Sequence, residues 1–191
     1  MTKLTISPLT PELWPALEDL FGPTGASSGC WCMWWRISGY VRVANSEENR
    51  AAFRRIVAKG PPPGPLALPV GWCQLTPRSA LPRLERSGVL ARVDDVPVWS
   101  VSCFYIRRGY RKQGVMTALI GAAVKHAKVS GAPALEAYPW DETGKRGSAG
   151  VYTGIRSAFA KAKFQEVARR RPDRPIMRHD LKRVRVRNLQ A

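Results

Sequence analysis

The stretch that decides the fold is Tyr105-Ile106-Arg107-Arg108-Gly109-Tyr110-Arg111-Lys112-Gln113-Gly114-Val115-Met116-Thr117. It continues an apolar, β-prone run that begins at Val98, and it leads into a segment whose apolar residues recur every three or four positions. This period predicts a helix from Gly114 to about Val129. The order of strand, basic glycine turn and helix N-terminus favours an anion-binding site, because unpaired N–H groups and the positive end of the helix dipole meet there.

Three residues of the turn suit a phosphate group. Gly114 has no Cβ, so an anion can approach the backbone closely. Arg111 and Lys112 supply positive charge, and an arginine can bind a phosphate through two nitrogens. A solvated basic turn between an ordinary strand and helix is the alternative interpretation, and the pattern alone leaves both open.

The segment Tyr110–Ile120 resembles motif A of the GNAT superfamily of acetyl-CoA-dependent N-acetyltransferases, which reads Q/R-x-x-G-x-G/A. Arg111, Gly114 and Met116 occupy its three fixed positions. Met116 departs from the Gly or Ala that the family prefers, and a larger side chain is expected to crowd the phosphates.

Other parts of the chain extend the resemblance. Residues 152–164 resemble the last helix of the family and the turn after it, and residues 72–76 and 98–106 resemble its two central strands. The similarity covers most of the chain, loosely before residue 66 and well after residue 98.

The resemblance implies an α/β (α+β) fold: a single GNAT-like domain over residues 1–191, with a mixed, mostly antiparallel central sheet. Helices are expected to flank the sheet, which is splayed at its two central strands. The usual hairpin before residue 71 has little room, so Leu66–Pro69 is expected to be a truncated remnant. Residues 77–97 are expected to form a long loop.

The implied function is direct transfer of an acetyl group from acetyl-CoA, the co-substrate, to a primary amine in a ternary complex. The acceptor is expected to be a small molecule or a protein lysine or N-terminus, because a polycationic acceptor needs more clustered acids than the chain offers. By position, the residues expected to bind the cofactor are Phe104, Tyr105, Ile106, Arg111, Lys112, Gln113, Gly114, Val115, Met116 and Thr117.

The catalytic residues are less well marked. Glu136 lies on an apolar strand, where burial would raise its pKa toward that of a useful base; pairing with a nearby arginine is the alternative. Glu85, on the long loop, is a second candidate base. Many family members place a tyrosine at the position of Phe159, so Tyr152 becomes the candidate acid, with Tyr138 as a substitute.

An aromatic segment, Cys30-Trp31-Cys32-Met33-Trp34-Trp35-Arg36, precedes the second predicted helix. Trp31, Trp34 and Trp35 are expected to be core and, at the same time, the wall of the acceptor site. A thiolate metal site with Cys73 and Cys103 is disfavoured because the paired spacing of zinc ligands is absent, so no metal is expected. Without a secretion signal, the cysteines are expected to be reduced thiols.

The chain is strongly basic, with 31 Lys and Arg against 14 Asp and Glu and a net charge of +17. Much of this charge lies in a basic C-terminal segment, residues 168–191, whose run 183–187 alternates Arg and Val like an edge strand. A solvated basic surface is one interpretation, and an anionic partner is the other. The alternative function is a catalytically weak GNAT-fold protein that binds CoA, or binds nucleic acid with this tail.

Composition agrees with one globular domain, since 45% of residues are hydrophobic and 24% are charged. No apolar run reaches the roughly 18 residues of a membrane span, and the N-terminus lacks the apolar core of a signal peptide. The sequence therefore predicts a cytoplasmic protein with no membrane partner. It leaves the oligomeric state open, with a dimer among the alternatives.

Overall fold

The structure is a computed structural model that describes residues 4–37, 45–141 and 151–181. Its strands are β1 (Thr5–Pro8), β2 (Pro65–Leu68), β3 (Gly71–Pro77), β4 (Trp99–Ile106), β5 (Ala134–Ala137), β6 (Gln165–Arg169) and β7 (Pro175–Asp180). Its helices are α1 (Trp14–Phe21), α2 (Ser46–Lys59), α3 (Pro82–Glu85), α4 (Val115–Val129) and α5 (Arg156–Lys161). Single 3-10 turns lie at Pro11–Leu13, Arg78–Ala80 and Arg108–Tyr110.

The seven strands form one mixed sheet in the order β1-β2-β3-β4-β5-β7-β6. Only β4 and β5 run parallel, and every other neighbouring pair is antiparallel. The parallel pair is short, because only Trp99–Val101 pairs with Leu135–Ala137 while β4 continues to Ile106. The mixed, mostly antiparallel sheet is as predicted. The splay, however, lies between β4 and β5 beyond Val101. The two strands expected to part, residues 72–76 and 98–106, pair with each other from Gly71–Ile106 to Pro77–Trp99.

The prediction for Leu66–Pro69 is wrong. These residues are not a remnant but most of β2, which pairs with both β1 and β3. Leu66 and Ala67 are fully buried. Pro65 is the first residue of β2 and Pro69 directly follows its last. Because proline is uncommon in and beside interior strands, these two residues argue against a strand in the sequence.

The two faces of the sheet are packed against different helices. Alternate residues of a strand point to opposite faces, and β3 shows this directly. Trp72 joins a cluster with Trp14 and Phe53 from α1 and α2. Cys73 faces the other way and joins Leu119 and the rest of the apolar side of α4. The sheet thus holds the start of α4 close to the end of β4.

The loop predicted for residues 77–97 is more ordered than expected, because it contains the 3-10 turn Arg78–Ala80 and the one-turn helix α3. The predicted edge strand at 183–187 lies outside the described residues. Within the described ranges, no helix is both long and apolar enough to cross a membrane.

Candidate functional site

The β4–α4 turn, residues 107–114, links the outer end of β4 to the first residue of α4. Lys112 and Gly114 both adopt left-handed backbone conformations, with φ of +61° and +80°. A Cβ added to Gly114 would meet nothing within 4 Å, so the dihedral angle and not crowding favours glycine here. Residues 108–114 are all exposed to solvent.

The N-terminus of α4 presents backbone N–H groups at this turn. Ala118 is the first residue whose N–H reaches a helical acceptor, the Gly114 carbonyl at 3.0 Å. The N–H groups of Val115, Met116 and Thr117 therefore precede the first helical hydrogen bond, where the helix dipole is positive. The Met116 side chain packs against the core cluster below α4, so it points away from the turn instead of crowding it.

Some side chains of the turn bond to other described residues, and others do not. The Arg111 Nε donates to the Ile106 carbonyl at 3.1 Å, and the Gln113 Nε2 donates to the Gly109 carbonyl at 2.8 Å. Arg107 is paired with Asp19 at 2.7 Å. Lys112 makes no hydrogen bond or ion pair with any residue that the structure describes. The turn therefore combines a fixed backbone with an uncommitted cation.

Beyond Val101, the edge of β4 that faces away from β3 has no β5 partner, and we call this edge the open side of β4. The N–H groups of Phe104, Tyr105 and Ile106 were all predicted to be free for the cofactor. The Phe104 N–H is not free, because it donates to the Tyr152 carbonyl at 2.6 Å. N–H groups alternate along a strand, so that of Tyr105 turns toward β3, where Tyr105 is paired with Trp72. Of the three amides predicted for the cofactor, only that of Ile106 faces the open side without a partner among the described residues.

Residues 151–155 lie between the parted strands. Trp140, just beyond β5, forms an isolated parallel bridge with Ile155 and donates its N–H to the Gly154 carbonyl at 3.0 Å. Gly154 has a φ of +87°, and a Cβ there would lie 2.8 Å from the Phe159 ring. Only glycine satisfies both requirements, so this close approach is built into the sequence.

Tyr152 places a phenol near the parting point of the strands. Its ring lies 6.5 Å from that of Trp35, and its hydroxyl has no hydrogen-bond partner in the described part of the chain. Burial raises the pKa of Tyr152 to about 12, so the hydroxyl stays protonated at neutral pH. Phe159, by contrast, is completely buried and packs on Phe104 and Phe164.

Glu136 is enclosed by arginines. One carboxylate oxygen accepts from the Arg178 Nη2 at 2.7 Å, and the other accepts from the Arg78 Nη1 at 3.4 Å and from the Tyr138 hydroxyl at 3.1 Å. The residue is 1% exposed. This is the arrangement of the alternative interpretation, and it leaves no oxygen of Glu136 directed at a substrate.

Glu85 belongs to the same network. It accepts from the Arg78 Nε at 3.0 Å and from the Arg92 Nε at 2.8 Å. Arg178 extends the network to the surface through Asp94, at 2.6 Å. We call the group Arg78, Glu85, Glu136, Tyr138 and Arg178 the buried network. Its geometry is that of a structural ion-pair cluster.

The three tryptophans predicted to form the acceptor wall lie in different surroundings. Trp31 is core, since its ring stacks on Trp14 at 6.0 Å. Trp34 is exposed, and the Arg83 guanidinium lies 4.0 Å from its ring. Trp35 is buried and donates its Nε1–H to the Ser102 carbonyl at 3.1 Å, which places it beside the open part of β4.

The cysteines are free thiols. Burial raises the pKa of the Cys30 thiol to about 11 and raises those of Cys32 and Cys73 as well. Within the described ranges, no three His, Cys, Asp or Glu side chains are placed to hold a metal ion. Cys32 and Cys73 are buried, whereas Cys30 and Cys103 are partly buried.

Two residues that sequence reasoning missed are Arg78 and Arg36. Arg78 organises the buried network, and Arg36 lines a cavity formed by the end of α2, Pro61–Pro63 and the ends of β3 and β4. Neither has a local signal, because each acquires its role from residues far away in the chain.

The model of the acetyltransferase (GNAT) family matches residues 26–152, about two thirds of the chain. This chain belongs to the GNAT family of acetyltransferases. The match includes β4, the β4–α4 turn, α4 and β5, which are the elements that carry the candidate site. Membership of this family implies acetyl-CoA as the co-substrate.

Solved structures share the fold at low sequence identity. The protein yncA from Salmonella typhimurium, solved with its cofactor acetyl-CoA, has a TM-score of 0.53 at 11% identity, covering 98% of this chain and 99% of its own. NAA60 from Arabidopsis thaliana, in complex with acetyl-CoA, has a TM-score of 0.51 at 14% identity, covering 93% and 99%. The ribosomal-protein-S18-alanine N-acetyltransferase from Escherichia coli has a TM-score of 0.50 at 14% identity, covering 99% and 100%. A sequence search of curated proteins finds no match.

Proposed function

We propose that this GNAT protein transfers an acetyl group from acetyl-CoA directly to a primary amine in a ternary complex. The amine belongs to a small molecule or to a lysine or N-terminus of a protein. The observation that carries the proposal is the exposed β4–α4 turn, with its free amides and cation, beside the parallel strands β4 and β5, which part beyond Val101. The acetyl-CoA complexes of yncA and NAA60, which share the fold, support the same assignment.

In this proposal the coenzyme lies along the open side of β4. Its pyrophosphate binds the N–H groups of residues 114–117, with Lys112 and Arg111 as counter-charges. Its pantetheine extends past the Ile106 amide toward Phe104. The Tyr152 carbonyl leaves the Phe104 amide when the pantetheine takes its place, so one hydrogen bond is exchanged for another.

The chemistry needs a neutral amine, a polarised thioester carbonyl and a stabilised thiolate. The amine nitrogen forms a bond to the carbonyl carbon, the carbon–sulfur bond breaks, and the amine proton passes to water. Tyr152 donates a hydrogen bond to the departing sulfur. With a pKa of about 12, well above the value of about 8.5 for a typical thiol, its phenol does not give up the proton. The thiolate is therefore protonated by solvent.

No protein carboxylate takes the amine proton in this proposal. Glu136 and Glu85 are the sequence candidates for a base, but arginines bind both. Their proposed role is to hold α3, the 3-10 turn at Arg78, β5 and β7 together. A water molecule is the proton acceptor.

Coenzyme binding is tested by thermal shift. Acetyl-CoA should raise the melting temperature in proportion to the logarithm of its concentration. The variants Arg111→Glu and Lys112→Glu should lose this response. Lys125→Glu is the matched control, because it makes the same charge change on the exposed side of α4, away from the turn, and should respond like the wild type. Normal responses from both turn variants would contradict the assignment.

Transfer itself is tested by release of free thiol from acetyl-CoA with a panel of amines. Primary amines should release thiol and yield the acetylated product in equal amounts. Coenzyme binding without any turnover across small amines and lysine peptides would leave only the binding function.

The alternative function, nucleic-acid binding by the basic segment, is not favoured by the part that the structure describes. The arginines there contact the protein itself. Arg169 pairs with Glu166, Arg170 donates to the Ala91 carbonyl, Arg171 pairs with Asp173, Arg174 stacks on Trp140, and Arg178 pairs with Asp94. This assignment is tested by measuring the affinity for DNA or RNA across a series of salt concentrations. An affinity that hardly changes with salt would agree with it, whereas an affinity that falls steeply would contradict it.

A further inference from the structure

Cys32 lies over the paired strands β3 and β4, and side chains of β3 hold it there. The Trp72 Nε1–H donates to the Cys32 Sγ at 2.9 Å, and the Gln74 Nε2 donates to the Cys32 carbonyl at 3.1 Å. The Gln74 Oε1 in turn accepts from the Ser102 hydroxyl at 2.9 Å. Trp72 and Gln74 are both completely buried, so the Cys32 sulfur has a fixed position on this face of the sheet.

The backbone of Cys32 shows that this position is imposed on it. Its φ is +57°, and that of Trp31 is +43°, so both residues are in the left-handed region. Residues with a Cβ keep this unfavourable conformation only where surrounding contacts determine it. The hydrogen bonds from Trp72 and Gln74 are such contacts. The strained backbone therefore accompanies a precise placement of the Cys32 side chain.

Cys103 is the thiol that meets Cys32. It is the cross-strand partner of Gln74, next to the register shift between β3 and β4, and it packs against the apolar cluster that contains Cys32 and Trp72. A hydrogen bond between the Cys32 and Cys103 side chains adds to the effect of burial in raising the pKa of Cys32. Cys32 is buried, whereas Cys103 is partly exposed. One thiol of this pair is thus open to a small reagent, and the other lies directly beside it.

The other two cysteines are engaged elsewhere. Cys73 points to the opposite face of the sheet and belongs to the cluster below α4. The Cys30 sulfur accepts hydrogen bonds from the backbone of its own segment, at residues 32–34. Cys32 and Cys103 are therefore the pair that is best placed to react with each other.

We propose that Cys32 and Cys103 form a reversible disulfide when hydrogen peroxide oxidises the protein. Peroxide is small and uncharged, so it suits a partly exposed thiol beside an apolar cluster, and thiols that respond to it often lie next to a resolving cysteine. A disulfide is uncharged, like the two thiols that it replaces, so oxidation brings no charge into the interior. Since Cys103 lies beyond Val101, the bond joins the aromatic segment, residues 30–36, to the part of β4 that has no β5 partner.

The reaction balances with hydrogen peroxide as the oxidant. The Cys103 thiolate attacks one peroxide oxygen, and the O–O bond breaks to give a sulfenic acid and hydroxide, which takes the proton that the thiol released and becomes water. The Cys32 sulfur, on losing its proton, attacks the Cys103 sulfur. The S–O bond breaks, the S–S bond forms, and the departing hydroxide becomes water with the Cys32 proton. Two thiols thus lose two electrons, and one peroxide is reduced to two waters.

The test is peroxide treatment of the reduced full-length chain, followed by a thiol count under denaturing conditions and by peptide mapping without reductant. Two of the four thiols should be lost, and a single crosslink should join Cys32 to Cys103. Dithiothreitol should restore all four thiols. The oxidised protein should melt several degrees above the reduced one, because the bond constrains a long loop of the unfolded chain. Neither acetyl-CoA nor turnover is needed, so this test is independent of the proposed acetyl transfer.

Serine variants assign a role to each thiol. Cys30→Ser is the matched control, because it removes a partly exposed thiol from the same segment, and it should form the same crosslink as the wild type. Cys32→Ser leaves the Cys103 sulfenic acid without a resolving thiol, so dimedone should label residue 103 in this variant. Cys103→Ser should leave the buried Cys32 reduced.

The proposal is overturned if the wild type keeps all four thiols under peroxide, if the crosslink joins another pair, or if Cys30→Ser loses it. Labelling of Cys32 by dimedone in Cys103→Ser would contradict the assignment of Cys103 as the thiol that peroxide attacks. Peptide mapping of the wild type identifies the pair even where a variant fails to fold.

Discussion

Arg78 and Arg36 are both arginines with guanidinium nitrogens that solvent does not reach, yet their surroundings are opposite. All three side-chain nitrogens of Arg78 donate, to the carboxylates of Glu85 and Glu136, the Tyr138 hydroxyl and two carbonyl groups. Arg36 leaves its Nε and Nη2 without a hydrogen-bond partner among the described residues. The first arginine is thus held by the folded structure through every side-chain nitrogen, whereas the described residues do not hold the second in this way.

The candidate site residues also divide into those that the folded protein pairs and those that have no partner among the described residues. The carboxylates that the sequence offers as bases are consumed by ion pairs in the buried network. Lys112, the amides at the start of α4 and the Tyr152 hydroxyl, by contrast, have no partner among the described residues. In the proposed function these groups bind the anionic coenzyme, and proton transfer is left to water. Four predictions test this comparison, from the largest expected effect to the smallest.

Glu136→Gln breaks the buried network and should have the largest effect. It leaves Arg78 and Arg178 partly uncompensated in the interior, and the free energy of unfolding should fall by about 3 kcal/mol, measured by urea denaturation. Arg36→Met provides the contrast, since it should cost nothing. A small change in stability together with a large loss of turnover would instead identify Glu136 as the catalytic base.

Tyr152→Phe removes a phenolic hydroxyl that lies near the parted strands and has no hydrogen-bond partner among the described residues. Loss of a hydrogen bond to a charged sulfur should lower kcat by about 10- to 100-fold. Because the pKa of Tyr152 is about 12, the group is protonated on both sides of neutrality and the rate ratio should not change from about pH 6 to about pH 9. A ratio that varies with pH in this window would mean that another group with a pKa near neutrality takes part.

Gly114→Ala tests the backbone of the β4–α4 turn. An L residue in the left-handed conformation costs about 1–2 kcal/mol, so the variant should be destabilised by that amount and should respond less to acetyl-CoA. Gly121→Ala is the matched control within α4. It also meets no neighbouring atom, and in the helix it should gain about 0.5–1 kcal/mol. Equal effects of the two substitutions would show that φ at residue 114 is unimportant.

Asp94 pairs with Arg178 at the solvent-exposed edge of the buried network. The substitution Asp94→Asn should have the smallest effect on the free energy of unfolding. The hydrogen bonds from Arg178 lower the pKa of Asp94, so its contribution to stability is present above the unfolded value of about 3.9 and is lost as the pH falls through the lower folded value. Because the carboxylate is partly exposed, the contribution should be below about 1 kcal/mol. The difference in unfolding free energy between wild type and Asp94→Asn should therefore shrink from neutral to acid pH. A difference that grows toward acid pH would contradict the assignment.

The parts of the molecule that could be predicted are those with a local signal. The strand before the β4–α4 turn, the glycine at the helix start and the period of α4 all lie within about 30 residues, and together they led to the fold. The short strand β2 was not predicted, because it begins with Pro65 and is followed by Pro69, and prolines argue against an interior strand. The inward direction of Met116 was also missed, since it depends on how α4 packs on the sheet.

The candidate site was less predictable than the fold, because its contacts are long-range. Arg78 meets Glu136 and Tyr138 from 58 and 60 residues away, so the sequence could suggest a nearby arginine for Glu136 but not identify it. The contact between the Phe104 amide and the Tyr152 carbonyl spans a similar distance. That the Nε and Nη2 of Arg36 have no partner among the described residues has no sequence signal at all, because it depends on the packing of distant segments.

That single bond from Phe104 to Tyr152 has a consequence for the whole molecule in the absence of coenzyme. A strand whose neighbour has diverged offers its backbone to any extended segment, including one from another copy of the chain. The Tyr152 carbonyl already binds one of these backbone groups, the Phe104 N–H. An incoming strand would have to displace this internal hydrogen bond before it could pair with β4 at that point.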